Sequence, residues 1–285
     1  MKFRSIAALC AVLILAGFAA GVSGSPSSSP AAPTATSSSS PGGTVSATAR
    51  VRIAAASDLR FAMDELVAKW SSADPSIEAE PTYGSSGTFL AQISEGAPFD
   101  IFFSADAEYP RELEKAGLAT AGTTRLYAVG RIVVWVPVSS TLDVASRGLE
   151  ALTDASVHKV AIANPEHAPY GKAAVAAMKS AGVYEAVEAK LVLGENVSQA
   201  AQFVESGNAD AGVIALSLAV APTLTDKGRY AIVPVESYPR LEQGAVVLDA
   251  ASDAEADAAR AFLDFVLGPD GRAVLDRYGF LLPPS

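Results

Sequence analysis

Four short polar loops hold the residues of this sequence that could do chemistry. Each follows an apolar run and precedes a helical pattern, and they are residues 54–57 (AAAS), 83–88 (YGSSGT), 164–171 (NPEHAPYG) and 194–199 (GENVSQ). At the start of a helix the backbone amides lack intrahelical acceptors and the helix dipole is positive. Serine hydroxyls and such amides donate hydrogen bonds, so the pattern favours binding of a small anion.

The first two loops offer hydroxyl groups. Ser57 is suited to cap the helix that follows it, and Asp58 falls in the first turn of that helix. In the second loop, glycines allow a tight turn and close backbone approach, while Ser86 supplies a hydroxyl. Plain helix capping is the alternative for the first loop, and a plain turn is the alternative for the second.

The other two loops offer backbone amides. Pro169 suits the first position of a helix, which leaves the Tyr170 amide without an intrahelical acceptor. Asn196 can cap the next helix with Gln199 three residues on, a capping-box spacing that leaves the Val197 amide free. Each loop by itself is explained by capping, but the four together point to one shared site.

Few residues of the sequence are candidates for catalysis. His158 and His167 are the only histidines that could act as a base for Ser57, Ser85 or Ser86. Neither Ser85 nor Ser86 has the flanking glycines of the G-x-S-x-G nucleophile motif, and no metal-binding histidine spacing is present. We therefore expect no catalytic residue, resident metal or cofactor, with a serine-dependent hydrolase as the minor alternative.

The N-terminal segment has the composition of an export signal. Two basic residues precede the apolar residues 6–20, and small residues follow, so residues 1–24 are expected to be a signal peptide; an uncleaved membrane anchor is the alternative. The one cysteine, Cys10, lies inside the apolar run, too early for lipid attachment. Residues 25–49 are rich in Ser, Pro, Ala and Thr, which predicts a disordered linker.

Charge and periodicity limit the class of protein further. Beyond residue 49 the chain carries 19 basic and 31 acidic residues, which argues against binding to nucleic acid. Short β-rich runs alternate with helical patterns from residue 51 onward, which predicts an α/β fold with mainly parallel sheets. The apolar stretch RIVVWVPVSS separates two such series, and the second series is expected to form a second lobe.

Several segments resemble those of the periplasmic molybdate-binding proteins, over roughly residues 51–280. They are AAASDL, GSSGT, EGAPFDIFFSAD, NPEHAPYG, GENV and the C-terminal RYGF. The resemblance implies a two-lobed periplasmic-binding-protein-like fold of type II, with the ligand cleft between the lobes. Lobe one is expected at about residues 50–125 and 240–285, and lobe two at about residues 126–239.

The resemblance also implies a function. It predicts a monomeric, exported, non-enzymatic protein that captures molybdate or tungstate and delivers it to the permease of an ABC transporter. Contact with the membrane would occur only through that transporter or an N-terminal anchor. Sulfate or phosphate is the alternative ligand, and an adhesion module that has lost its pocket is a further alternative.

Carried over by motif, the resemblance assigns five ligand-binding residues. Ser57 and Ser86 would donate from one lobe, Tyr170 and Val197 would contribute backbone amides from the other, and Asp58 would contribute its own amide. All would contact oxygens of the ion, and none would ligate a metal directly. The sequence departs from the pattern at residue 215, where Ala215 replaces a tyrosine hydroxyl that several members carry.

Overall fold

The computed structural model describes residues 49–249 and 252–284. The expected signal peptide, residues 1–24, and all but the last residue of the expected linker, residues 25–49, lie outside the described residues. Within the described part, no helix is both long and apolar enough to cross a membrane.

Ten strands and ten helices alternate along the described chain. The strands are β1 (Ala49–Ala56), β2 (Ile77–Gly84), β3 (Ile101–Ser104), β4 (Arg125–Gly130), β5 (Ile132–Pro137), β6 (Val160–Ala163), β7 (Leu191–Gly194), β8 (Ala211–Ala215), β9 (Gly228–Ile232) and β10 (Leu241–Val247). The helices are α1 (Arg60–Ala73), α2 (Ser86–Ser94), α3 (Glu108–Lys115), α4 (Val144–Arg147), α5 (Pro169–Ser180), α6 (Tyr184–Val187), α7 (Val197–Glu205), α8 (Leu216–Ala219), α9 (Asp253–Leu267) and α10 (Pro269–Arg277). A short 3-10 turn, Ser57–Leu59, joins β1 to α1.

The strands form two five-stranded sheets, one in each lobe. The first has the order β2-β1-β3-β10-β4 and the second the order β7-β6-β8-β5-β9. In each sheet three neighbouring strands run parallel, as the sequence predicts. One strand of opposite direction follows them, β10 in the first sheet and β5 in the second, and it pairs on its other side with the edge strand β4 or β9. The parallel strands direct their carboxyl ends, and the helices that follow them, towards the cleft.

The chain passes between the lobes at two places. It leaves the first sheet after β4, enters the second sheet at β5, and returns between β9 and β10. The first crossing is therefore at Arg131, a few residues beyond the limit of about 125 expected from sequence. The apolar stretch RIVVWVPVSS, which separates the two series in the sequence, begins at this residue and forms β5 of the second sheet. Arg131 donates two hydrogen bonds to the carbonyl of Gly279, at 2.9 and 2.6 Å, which ties this crossing to the C-terminal segment.

The first lobe packs α1, α9 and α10 on its sheet. Met63, Leu66 and Trp70, which are three and four residues apart and so share one face of α1, are all buried. Trp70 meets Phe262 of α9 edge to face, with ring centroids 5.7 Å apart. The C-terminal helical region is two helices, because Pro269 starts a new helix and cannot donate its amide to the preceding one.

A buried ion pair ties β1 to the segment that leads into β3. The Asp100 side chain is fully buried and accepts hydrogen bonds from the Arg52 amide at 2.6 Å and from its guanidinium at 2.9 and 2.6 Å. Since β1 and β3 both end at the cleft, this pair fixes the relative height of two strands that carry site residues.

Replacing Asp100 by Asn should lower the free energy of unfolding by about 2–3 kcal/mol, because the charge is lost at a fully buried position and the amide nitrogen of Asn would face a donor of Arg52. The control is Glu80→Gln, which breaks the exposed Arg50–Glu80 pair on the neighbouring strands and should cost less than about 1 kcal/mol. Urea unfolding measures both. Equal effects of the two substitutions would contradict a structural role for the buried pair.

Candidate functional site

A small cavity lies between the lobes, at the ends of the parallel strands of both sheets. Its lining comprises Ala56, Ser57, Asp58, Gly84, Ser85, Ser86 and Ala105 from the first lobe, and Ala168, Pro169, Tyr170, Asn196 and Val197 from the second. Its free volume is about 190 Å³ with the mouth included. The enclosed part has room for little more than one water-sized sphere, so this cavity suits an ion of a few atoms and no larger ligand.

All five ligand-binding residues predicted from sequence line this cavity. Ser57, Asp58, Ser86, Tyr170 and Val197 come from four separate loops, and each is at most 3% exposed. The structure thus brings together residues that are up to 140 positions apart in the chain.

The serine hydroxyls of the first lobe are oriented by backbone amides. Ser86 Oγ accepts a hydrogen bond from the Ala105 amide at 2.9 Å, and Ser57 Oγ accepts one from the Ser198 amide at 3.3 Å. Each hydroxyl therefore keeps its own proton available for an acceptor in the cavity. Neither serine caps its own helix, since Ser57 begins the 3-10 turn and makes no capping bond, which excludes plain capping by Ser57.

Two helix N-termini of the second lobe face the same cavity. Pro169 occupies the first position of α5 as predicted, so the amide of Tyr170 lies in the first turn without an intrahelical acceptor. Val197 is the first residue of α7, and Asn196 Oδ1 caps that helix by accepting from the Gln199 amide at 3.1 Å. The Gln199 side chain accepts from the Glu195 amide at 2.7 Å, one residue earlier than in a capping box.

Asp58 anchors a buried polar network that joins the lobes. Its Oδ2 accepts from the Tyr170 phenol at 2.9 Å and from Gln243 Nε2 at 2.7 Å, and Gln243 Oε1 accepts from the Tyr127 phenol at 2.7 Å. Burial raises the pKa of Asp58 to about 6, against the opposing effect of the hydrogen bonds from Gln243 and Tyr170. Its second oxygen, Oδ1, has no hydrogen-bond partner in the described part of the chain.

Gln243 and Tyr127 were not predicted from sequence. The signal for Gln243 is a polar residue within the apolar strand QGAVV, which is fully buried in the structure. Tyr127 is the extra residue of a bulge between β4 and β10, where the register shifts beside Gln243. A bulge turns a side chain away from its regular direction, and sequence periodicity does not reveal one.

Direct hydrogen bonds close the cleft at its rim. The carbonyl of His167 in the second lobe accepts from Ser85 Oγ at 2.6 Å and from the Gly87 amide at 3.0 Å. On the other side, Ser198 Oγ donates to the Ser57 carbonyl at 2.8 Å. A side chain at position 87 would place its Cβ 2.4 Å from the His167 carbonyl oxygen, so closure depends on glycine at that position.

Ser85, His167 and Glu195 stand in an order that resembles a catalytic triad, but the geometry does not activate the serine. The Ser85 hydroxyl proton is committed to the His167 carbonyl, so at 3.0 Å the His167 Nδ1 can only donate to Ser85 Oγ. Glu195 Oε2 is 3.6 Å from His167 Nε2 and its side chain is 74% exposed. The histidine therefore stabilises the rim and cannot serve as a general base for Ser85.

Two further expectations concern metal binding and Ala215. Among the described residues, no group of three His, Cys, Asp or Glu side chains is arranged to hold a metal ion.

Ala215 ends β8 and is fully buried, and it is not part of the cavity lining. Two residues later, Ser217 Oγ donates to the Asp58 carbonyl at 2.7 Å, so this loop positions the Asp58 turn.

Comparison with known proteins agrees with this geometry. The family described as bacterial extracellular solute-binding protein matches residues 51–281. The molybdate-binding protein ModA of Rhodobacter capsulatus is 40% identical over 199 residues, covering 70% of this chain and 75% of that protein. ModA of Azotobacter vinelandii is 36% identical over 232 residues, covering 81% of this chain and 90% of that protein.

The fold comparison gives the same result. The solved structure of the Azotobacter vinelandii periplasmic molybdate-binding protein superposes with a TM-score of 0.76 at 28% identity, covering 82% of this chain and 100% of that one. Two lobes, a donor-lined cavity between them and these relatives all agree. The chain belongs to the bacterial extracellular solute-binding proteins and, within them, to the molybdate-binding ModA family, whose members are binding proteins and not enzymes.

Proposed function

We propose that this protein captures molybdate or tungstate in the cavity between its lobes and delivers the ion to the permease of an ABC transporter. The observation that carries the proposal is the cavity itself, in which hydroxyls from one lobe and helix N-terminal amides from the other surround about 190 Å³. The names of the relatives support the choice of ion. We further propose that the protein acts outside the cytoplasm as a monomer.

The ion is held by neutral donors. The Ser57 and Ser86 hydroxyls donate from the first lobe, and the amides of Tyr170 and Val197 donate from the second, with the Asp58 amide as a fifth contact. A fully deprotonated tetrahedral dianion offers only acceptors, which matches this set. The positive ends of the α5 and α7 dipoles add a favourable field without a cationic side chain.

The energies permit tight binding. Six or so hydrogen bonds to a charged ligand, at about 1.5–3 kcal/mol each, amount to roughly 9–18 kcal/mol. Loss of translational and rotational freedom and ordering of the lobes cost about 4–15 kcal/mol. The balance depends on preorganisation, which the Ala105 amide of the same lobe provides for Ser86 before the ion arrives, whereas the Ser198 amide reaches Ser57 from the other lobe.

The proposal is tested by calorimetric titration of the purified, ligand-free protein with molybdate, tungstate, sulfate and phosphate in parallel. Submicromolar binding of molybdate and tungstate is expected, with sulfate far weaker because a smaller ion cannot reach donors on both lobes. Tighter binding of sulfate or phosphate would change the proposed ligand, and absence of binding by all four ions would overturn the proposal.

Replacing Ser86 by Ala should weaken molybdate binding roughly 10- to 150-fold, since one donor to a charged ligand, worth about 1.5–3 kcal/mol, is removed. Ser94→Ala is the matched control, because Ser94 is exposed at the other end of the same helix. Titration calorimetry measures both variants. An unchanged affinity for the Ser86 variant would remove this residue from the site.

Replacing Gly87 by Ala should weaken binding without touching any contact to the ion. The new methyl group would lie 2.4 Å from the His167 carbonyl oxygen, and relief of that overlap, at about 1–3 kcal/mol, must hold the lobes apart. X-ray scattering with molybdate should show compaction for the unmodified protein and for the exposed-surface control Gln92→Ala, and less compaction for the Gly87 variant. Full compaction and full affinity of that variant would contradict closure at this rim.

A further inference from the structure

The cavity contains one formal charge, and its sign opposes the proposed ligand. Among the twelve lining residues, Asp58 is the only acidic or basic one. A dianion would therefore be placed beside a carboxylate, with no cation in the lining to offset either charge. In a buried setting like charges strongly disfavour each other, and one of the groups must be neutralised for both to remain.

The two oxygens of Asp58 have different surroundings. Oδ2 is occupied by two donors, the Tyr170 phenol at 2.9 Å and Gln243 Nε2 at 2.7 Å. Oδ1 is buried and has no partner of hydrogen-bond geometry in the described part of the chain, although the residue lines the cavity and is only 1% exposed. The backbone amides of Asp58 and Leu59 also act to lower the pKa of this carboxyl, but burial outweighs them. A buried carboxylate oxygen without a donor is unfavourable, whereas a proton on that oxygen converts it into a donor.

We propose that Asp58 binds the oxyanion as a neutral carboxylic acid, with the proton on Oδ1 donated to an oxygen of the ion, so that each bound dianion is accompanied by one proton taken from solvent. This inference rests on the proposed function, because it requires an oxyanion in the cavity. It gives Asp58 a side-chain role in specificity, in addition to the amide contact expected from sequence.

The protonation equilibrium supports the geometry. Burial already raises the pKa of Asp58 to about 6 without a ligand, and an adjacent dianion raises this pKa further by like-charge repulsion. Affinity is then fully present below pH 6, and it falls as pH rises from the pKa of the free protein to the higher pKa of the complex. In that interval the loss is about tenfold for each pH unit.

The elements packed around Asp58 present no competing charge. The Tyr170 phenol on α5 and the Tyr127 phenol on β4 face it, and burial raises the pKa of each well above the ordinary value, so both stay neutral. β10 presents the neutral amide of Gln243. Arg60, at the start of α1, is exposed, and in the described residues no Lys, Arg or His forms an ion pair with Asp58.

Two helices of the second lobe, α7 and α8, lie beside the turn that contains Asp58, and the side chains that they bond to this turn are serines. Ser198 of α7 donates to the Ser57 carbonyl and Ser217 of α8 donates to the Asp58 carbonyl, so both hydroxyl protons are used on the backbone. Proton uptake on binding therefore has one structural source in this cavity.

The test is calorimetric titration of the purified protein with molybdate between pH 6.5 and 8.5, in buffers with different protonation enthalpies. The unmodified protein should take up about one proton per ion near pH 7.5 and lose affinity about tenfold per pH unit. Asp58→Asn keeps an acceptor for Tyr170 and Gln243 and a permanent donor for the ion. It should take up no proton, show a flat pH profile and bind at least about tenfold more tightly than the unmodified protein at pH 8.5.

The control is Asp257→Asn, which removes one carboxylate whose side chain is 80% exposed on α9 and should behave like the unmodified protein. Binding without proton uptake by the unmodified protein would overturn the inference and leave the proposed function standing. Uptake retained by the Asp58 variant would also overturn it. No binding of molybdate or tungstate by the unmodified protein at any pH would instead overturn the proposed function. Because the proton count is measured on the unmodified chain, a variant that fails to fold leaves the test decisive.

Discussion

Hydrogen-bond donation from the first turns of helices is the means by which this cavity can hold an anion, because none of its lining residues is a cation. Donors of this kind act only at short range and only when they are aimed correctly. The remaining architecture follows from that requirement. Two sheets end their parallel strands at one cleft, where β1 and β2 lead to serines and β6 and β7 lead to helix N-termini. The buried Arg52–Asp100 pair and the two crossings between the lobes fix the heights at which these ends meet.

Closure is built from bonds that flank the cavity. The His167 carbonyl receives Ser85 and Gly87 on one side, and the Ser57 turn receives Ser198 and Ser217 on the other. Ser85, Gly87 and Ser198 are each adjacent to a residue proposed to contact the ion, so the contacts that join the lobes also bring the proposed donors together. The hydrogen bond from Tyr170 to Asp58 has the same property, since the residue whose amide faces the ion also bonds to the opposite lobe through its phenol.

A site made of neutral donors and one carboxylate selects anions in a different way from a phosphate-binding cluster of arginines. Arginine would attract many anions through long-range charge, whereas oriented amides and hydroxyls discriminate by distance and by the number of acceptors. A protonated Asp58 would add one more donor to the cavity. It would also link ion capture to the pH outside the cell, which a cavity lined only by serines and amides could not do.

The sequence by itself determined the local features. Pro169 marked the start of α5, Asn196 marked the cap of α7, and all five residues that the motifs assigned to the ion are among the twelve that line the cavity. Helix starts and turns depend on interactions within a few residues, so they can be recognised without knowledge of the fold. The assignment of these residues as ion contacts stays a prediction until binding is measured.

Only the tertiary structure decided which chain segments share a sheet and what surrounds each polar group. The apolar runs LYAVG and IVVWV are separated only by Arg131 but form β4 and β5 in different sheets, since apolar character does not specify a pairing partner. Ser57 is of a residue type that commonly caps helices, yet its Oγ accepts a hydrogen bond from the amide of Ser198, which is 141 residues away. The hydrogen-bond partners of Asp58, Tyr170 on α5 and Gln243 on β10, are 112 and 185 residues away. Its burial and its unpaired oxygen therefore depend on the tertiary fold, because desolvation is set by neighbours in space and not by neighbours in sequence.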